Sequence, residues 1–180
     1  MKKTILTFGT LSGIIISIMM IASVAISDSI DFDKGMYIGF ASMVLAFLLV
    51  FFGIRSYRDN KLDGTISFGK AFQVGILISL ISCTFYVISW LIVYYNFIPD
   101  FMEKYSAHVI DKLKSSGATT DVIQDKSKEL AKLSEMYKNP LVVIAYTFLE
   151  PLPVAILITF VSSLILKKKN KPSVSNTLTA

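Results

Sequence analysis

Residues 141–166 read LVVIAYTFLEPLPVAILITFVSSLIL, and this stretch decides the class of protein to which the chain belongs. It is long enough to cross a bilayer, because a spanning helix needs about 20 apolar residues. Its single acidic or basic side chain is Glu150, and two prolines follow, at Pro151 and Pro153. A charged group in hydrocarbon costs about 2.5–3.5 kcal/mol on insertion scales, so the protein must satisfy this carboxyl or use it.

Three further apolar blocks, Ile5–Ile26, Met36–Ile54 and Ala71–Ile98, contain no acidic or basic residue. The chain has 180 residues and only 17% are charged, whereas about 25% is usual in soluble domains. We therefore expect an all-α membrane protein that forms a single membrane domain over residues 1–180. Its four transmembrane helices are expected at about residues 5–26, 36–54, 71–96 and 141–166.

The first block could instead be a secretory signal peptide, since Lys2 and Lys3 precede it and Ser23-Val24-Ala25 resembles a cleavage site. A signal core usually has about 7–15 residues, which is shorter than this block. The block also carries small residues at every fourth position, a pattern that suits close helix packing. We therefore expect it to be retained as the first span.

Positive charge predicts the topology, because short basic loops face the cytoplasm. The amino terminus, the loop at Arg55–Lys70 and the tail at residues 167–180 are basic, whereas Ser27–Gly35 has three aspartates and one lysine. We expect a multi-pass protein of the bacterial inner membrane with both termini in the cytoplasm. The net charge of +5 then lies mainly on one membrane face, which indicates contact with anionic lipids and no nucleic-acid partner.

The segment at residues 99–139 balances seven lysines with seven acidic residues. Apolar side chains recur every four residues in its first half and every seven in its second, which predicts amphipathic helices at about 100–115 and 120–138. We expect an extracytoplasmic helical hairpin between the third and fourth spans. It could cap the bundle or lie on the membrane, or it could bind an envelope protein partner. His108, on the first of these helices, is expected to be a solvated or capping residue.

Each span carries a stripe of small residues, which lets helices approach closely where lipid provides no hydrophobic drive. Four such stripes predict a four-helix bundle. The stripes are Gly9, Gly13 and Ser17; Gly39, Ser42 and Ala46; Gly75, Ser79 and Cys83; and Ala155, Thr159 and Ser163.

Glu150 lies at a predicted kink, because Pro151 and Pro153 cannot donate to the backbone carbonyls four residues earlier. Matching depths by the helical rise places three hydroxyl-bearing spans near it. No span supplies a lysine or arginine, so we expect a protonated Glu150 that is hydrogen-bonded within the bundle. The candidate intramembrane polar site comprises Glu150, Pro151, Pro153, Thr147, Ser17, Ser42, Thr84 and Tyr86.

Three roles for this site remain open: a neutral link between helices, a proton or cation relay, and a polar site for a lipid or partner-protein group. One cysteine, Cys83, and one histidine leave no metal motif, and no phosphate loop or nucleophile–base pair is present. We expect no cofactor and no enzymatic activity. The function is expected to be that of an accessory or interaction protein of the cell envelope. The alternative is a small proton- or cation-linked transporter that uses Glu150, which we would expect to form a homo-oligomer.

The chain resembles the domain-of-unknown-function 4199 family, small integral membrane proteins found mainly in Bacteroidota. The residues that carry the resemblance are GTISFGKAF at 64–72, NFIPD at 96–100 and FLEPLP at 148–153. The last span of the family carries an acid-x-x-Pro element, which Glu150 and Pro153 match, while Pro151 is additional. The family has no assigned reaction, so the resemblance implies architecture and membrane localisation and no catalytic residues.

Overall fold

The computed structural model describes residues 1–26 and 32–168. Seven helices make up most of these residues, and the one pairing of extended backbone among them is an isolated bridge between Ile66 and Lys168. The helices are α1 (Lys2–Ala25), α2 (Phe32–Lys61), α3 (Phe68–Asn96), α4 (Phe101–Ser115), α5 (Thr120–Met136), α6 (Pro140–Leu149) and α7 (Leu152–Leu166). Asp28, Asp31, Lys169 and Lys171, which entered the topology prediction, lie outside the described residues.

Four helical stretches of the described residues are long and apolar enough to cross a membrane. They are α1, α2, α3 and the combined stretch Pro140–Leu166, which contains α6 and α7. This confirms the predicted all-helical class with four spans. The second span extends beyond the apolar block at both ends, because α2 begins at Phe32 and continues through the basic residues to Lys61.

A tight turn at residues 62–67 connects α2 to α3. Asp63 and Gly64 adopt positive φ angles of 48° and 77°, and the Gly64 amide donates to the carbonyl oxygen of Arg58 at 3.1 Å. A left-handed residue that closes the last turn in this way is a common helix C-cap. The Ser67 side chain then accepts from the amide of Lys70 and caps the start of α3.

The spans pack as a bundle in which α1 contacts α2 and α3, and α7 contacts the same two helices. Among the described residues, the largest fully buried side chain is Phe47 in α2, and it lies in a core with Ile54, Val74 and Ile78. The two halves of the fourth span differ, since α7 packs against both α2 and α3 whereas α6 packs mainly on α3. The α6 half of that span is therefore less enclosed than the α7 half.

Small residues of the predicted stripes allow close contacts between the spans. A Cβ atom on Gly13 would lie 2.6 Å from Phe85 Cγ, and one on Gly75 would lie 2.7 Å from Thr159 Cγ2. The stripe of the second span was wrong at Gly39, which has no atom within 4 Å of its ideal Cβ position. Gly53, two heptads further along α2, provides the close approach instead, since a Cβ atom there would lie 2.5 Å from Ile78 Cδ1.

Buried hydroxyl groups join the spans to one another. Ser12 of α1 donates to the Ala46 carbonyl of α2 at 2.8 Å, and Ser82 of α3 donates to the Gly9 carbonyl of α1 at 3.2 Å. The hydroxyls of Ser79 and Thr159 lie 3.2 Å apart and connect α3 to α7. Such bonds contribute roughly 0.6 kcal/mol each on average in membrane proteins.

Candidate functional site

The fourth span is interrupted at Glu150 and Pro151, between the end of α6 and the start of α7. Pro151 and Pro153 have no amide hydrogen, so the ladder of backbone bonds must lapse here. Glu150 (φ −62°, ψ −54°) and Pro151 (φ −77°, ψ −16°) nevertheless keep right-handed helical angles. The structure therefore has the predicted irregularity at the predicted place, and the chain continues in a helical direction across it.

The carboxyl group of Glu150 is bonded to the third span. The Tyr86 hydroxyl of α3 donates to Glu150 Oε2 at 3.0 Å. Tyr86 is buried, with 7% of its surface exposed, whereas Glu150 is exposed at the edge of the bundle. The carboxyl is thus anchored on one side by a buried phenol and open on the other.

The other hydroxyl groups that were predicted at the depth of Glu150 form hydrogen bonds with other residues. Ser17 accepts from Ser89 at 2.8 Å and Ser42 donates to its own helix at Ile38. Thr84 is exposed and donates to the Leu80 carbonyl. Depth matching specifies height but not rotation about the helix axis, and Thr84 lies about 200° around α3 from Tyr86. Of the predicted neighbours, Tyr86 therefore bonds to Glu150, Thr84 points to another side of α3, and Ser17 and Ser42 form their hydrogen bonds with other residues.

Thr147 is buried on α6, one turn before Glu150. Pro151 is buried and Pro153 is exposed, so the two prolines face different surroundings. Among the described residues, the ion pairs lie near the helix ends and in the outer segment, none of them at Glu150. A carboxyl that accepts from a phenol on one oxygen can form a further hydrogen bond on its open side.

An apolar groove lies on the α7 side of Glu150, with a volume of about 570 Å³. Residues that flank the break form one wall, and the beginning of α3 supplies another. Its lining includes Phe72, Leu149, Leu152, Pro153, Leu157 and Phe160. The site therefore consists of one polar group at the end of an open apolar depression.

Aromatic rings lie on the side of the site that is nearest to the end of α5. The Tyr137 ring, just after α5, lies 6.3 Å from that of Tyr94 and 5.7 Å from that of Tyr146. Burial raises the pKa of Tyr137 to about 12. The rings of Tyr137 and Tyr146 therefore connect the end of α5 to α6, close to Glu150.

Sequence reasoning missed the contact between α4 and the start of α2. Phe32 stacks on His108 with ring centroids 4.7 Å apart, and Asp33 bonds to Lys112 at 2.6 Å and lies 3.4 Å from His108 Nε2. His108 is therefore packed against a ring and a carboxylate, which differs from a solvated histidine. The sequence did contain a signal for this contact, because Asp33 and Lys112 carry opposite charges and lie in segments predicted to be on the same side of the membrane.

Comparison with curated proteins and with solved structures finds no match. The profile of a family described as a protein of unknown function, DUF4199, matches residues 7–168. The match includes all four spans, the Glu150 break and the outer helices, and it bears out the resemblance identified from the short motifs. The chain belongs to the DUF4199 family.

Proposed function

We propose that this protein is a non-enzymatic accessory protein of the bacterial inner membrane, with both termini in the cytoplasm. Its outer segment, α4 and α5, would form an extracytoplasmic hairpin that binds an envelope protein partner. The observation that carries the proposal is the structure of this segment. It forms two highly charged helices that contact the bundle through a few side chains.

The attachment uses few residues. The rings of Trp90 and Phe101 meet edge to face at 5.0 Å, and the Phe32–His108 stack holds the middle of α4. Met102 and Leu130 are the buried residues of α4 and α5. The remaining surface of the two helices is largely polar and exposed, which leaves an ordered face available to a partner.

The polar face suits a polar contact more than an apolar one. Several of its charged residues already pair at i,i+3 spacing, such as Lys126 with Glu129 at 2.9 Å and Lys138 with Glu135 at 2.6 Å. Such exposed pairs contribute about 0.3–0.5 kcal/mol each. A partner of complementary charge pattern could replace them at small cost.

The test is site-specific photocrosslinking in growing cells. A photoreactive amino acid at Lys128 or Lys132, both exposed on α5, is expected to give one discrete adduct with an envelope protein. The same group at Lys61, exposed at the end of α2, serves as the matched control and is expected to give none of that adduct. If neither α5 position gives an adduct, the proposed accessory role is wrong.

The Glu150 geometry supports a second candidate, a small proton- or cation-linked transporter. An exposed carboxyl beside a helix break, with a tyrosine donor at 3.0 Å, is a chemically reasonable place for a proton or cation to bind. Proteoliposome flux should then depend on pH and should vanish in Glu150→Gln, while Thr84→Ser at the same depth should retain it. Flux that survives Glu150→Gln would exclude this candidate.

A further inference from the structure

The open side of Glu150 faces away from the bundle, at a depth where the surroundings are hydrocarbon. Glu150 lies about 24 Å from Leu166 by the helical rise per residue, within the outer part of a hydrocarbon core of about 30 Å. Exposed apolar side chains surround it, with 61% of Leu149 and 43% of Tyr146 accessible. Water is scarcer at such a position than at the membrane surface, so an exposed carboxyl there gains from a partner with which it can hydrogen-bond.

The exposed face of the fourth span continues on both sides of Glu150 with a regular spacing. Its members recur at alternating intervals of four and three residues, which is the period of a seam between two packed helices. The helical backbone angles at Glu150 and Pro151 let this face run across the break. The exposed residues are Tyr146, Glu150, Pro153, Leu157, Phe160 and Leu164.

We propose that this face is the contact surface between two copies of the chain, in which the Glu150 carboxyls of both copies hydrogen-bond to each other. Two copies inserted with the same orientation can be related by a two-fold axis along the membrane normal. Identical residues close to that axis then meet at the same depth. A protonated carboxyl has one donor and one acceptor, so two of them are complementary across the axis.

A second copy suits the site because it brings a carboxyl group and an apolar face of the same kind to the same depth. The Tyr86 hydroxyl occupies one oxygen of Glu150 at 3.0 Å, so each carboxyl can orient its remaining hydrogen-bonding capacity outward. The apolar groove beside Glu150 can accept a large side chain of the seam, such as Leu157 of the second copy. Polar residues between apolar helices contribute association energy in this way.

Cysteine crosslinking in native membranes tests the geometry. Leu157 and Leu45 are both exposed, 62% and 56% respectively. Each lies nine positions outward of the last apolar residue of its span, at Leu166 and Ile54, so the two leucines match in type and depth. With Cys83→Ala, which removes the single cysteine, Leu157→Cys is expected to form a disulfide dimer and Leu45→Cys is not. Equal crosslinking of the two variants would indicate random collision and would overturn the proposal.

Substitution of Glu150 tests the chemistry of the pair. Glu150→Gln is expected to keep the dimer, since an amide also presents a donor and an acceptor, whereas Glu150→Leu is expected to weaken association about tenfold. The measurement is the dimer fraction in liposomes by single-molecule photobleaching at several protein-to-lipid ratios. A monomeric unsubstituted chain, with or without retained phospholipid, would overturn the proposal, as would an unchanged dimer in Glu150→Leu. Neither result bears on the partner of α5, which is tested separately by photocrosslinking.

Discussion

The buried Tyr86 hydroxyl of α3 donates to the exposed Glu150 carboxyl at 3.0 Å. The bond joins the third and fourth spans at the level where two prolines interrupt the backbone ladder of the fourth. It therefore ties the third span to the fourth at the point where the fourth span lacks backbone hydrogen bonds. The same contact leaves the opposite side of the carboxyl open toward the membrane.

Tyr86→Phe should lower the free energy of unfolding by about 1 kcal/mol, because it removes one interhelical bond and leaves a buried ring of the same shape. Unfolding of the purified protein in mixed micelles by increasing denaturing detergent measures this. Tyr95→Phe is the matched control, since Tyr95 is 47% exposed and should lose little. In a Glu150→Leu background the loss caused by Tyr86→Phe should disappear, and an equal loss in both backgrounds would contradict the pairing.

Gly13→Ala should destabilise the bundle by about 1–3 kcal/mol, as overpacking of a core does. The added Cβ would lie 2.6 Å from Phe85 Cγ, so α1 and α3 would have to move apart. Gly39→Ala meets no atom within 4 Å and should be neutral or slightly stabilising, because alanine favours the helix by up to about 1 kcal/mol. The same detergent titration compares the two, and similar losses for both would mean that α1 does not pack on α3 through Gly13.

Phe32→Ala should release α4 from the start of α2. The ring of Phe32 stacks on His108 at 4.7 Å and lies 5.9 Å from that of Tyr105, so its removal deletes the main apolar contact there. Hydrogen–deuterium exchange should become faster at the amides of α4 and stay unchanged in α3.

Tyr37→Ala provides the control for that experiment, since Tyr37 lies on the same end of α2 and is 69% exposed. It should leave exchange in α4 as it is in the unsubstituted protein. Unchanged protection of α4 in Phe32→Ala would show that other contacts hold this helix.

The predicted orientation can be tested by labelling single cysteines with a maleimide that does not cross membranes. With Cys83→Ala, Lys128→Cys on α5 should react in intact spheroplasts. Lys61→Cys, at the basic end of α2, should react only after permeabilisation, because basic short loops remain in the cytoplasm. Labelling of Lys61→Cys before permeabilisation would reverse the topology.

Length and hydropathy were sufficient to predict the spans, because a bilayer sets a minimum apolar length and leaves few alternatives to a helix. The outer helices were also predictable from their periodicity and turn residues, within one or two residues of α4 and α5. Gly9, Gly13 and Gly75 were found from small-residue spacing. Gly39 was not a contact, since the same spacing arises on any helix face and the sequence does not say which face meets a neighbour.

The sequence by itself determined that this is a four-span helical membrane protein with one carboxyl beside two prolines in its last span. Only the tertiary structure decided that Tyr86, and not Thr84, meets that carboxyl, and that the rest of Glu150 is exposed. It also decided that Phe32 and Asp33 hold α4. The physical reason is that helical rise gives the depth of a residue from its number alone, whereas its direction depends on how each helix is rotated against its neighbours.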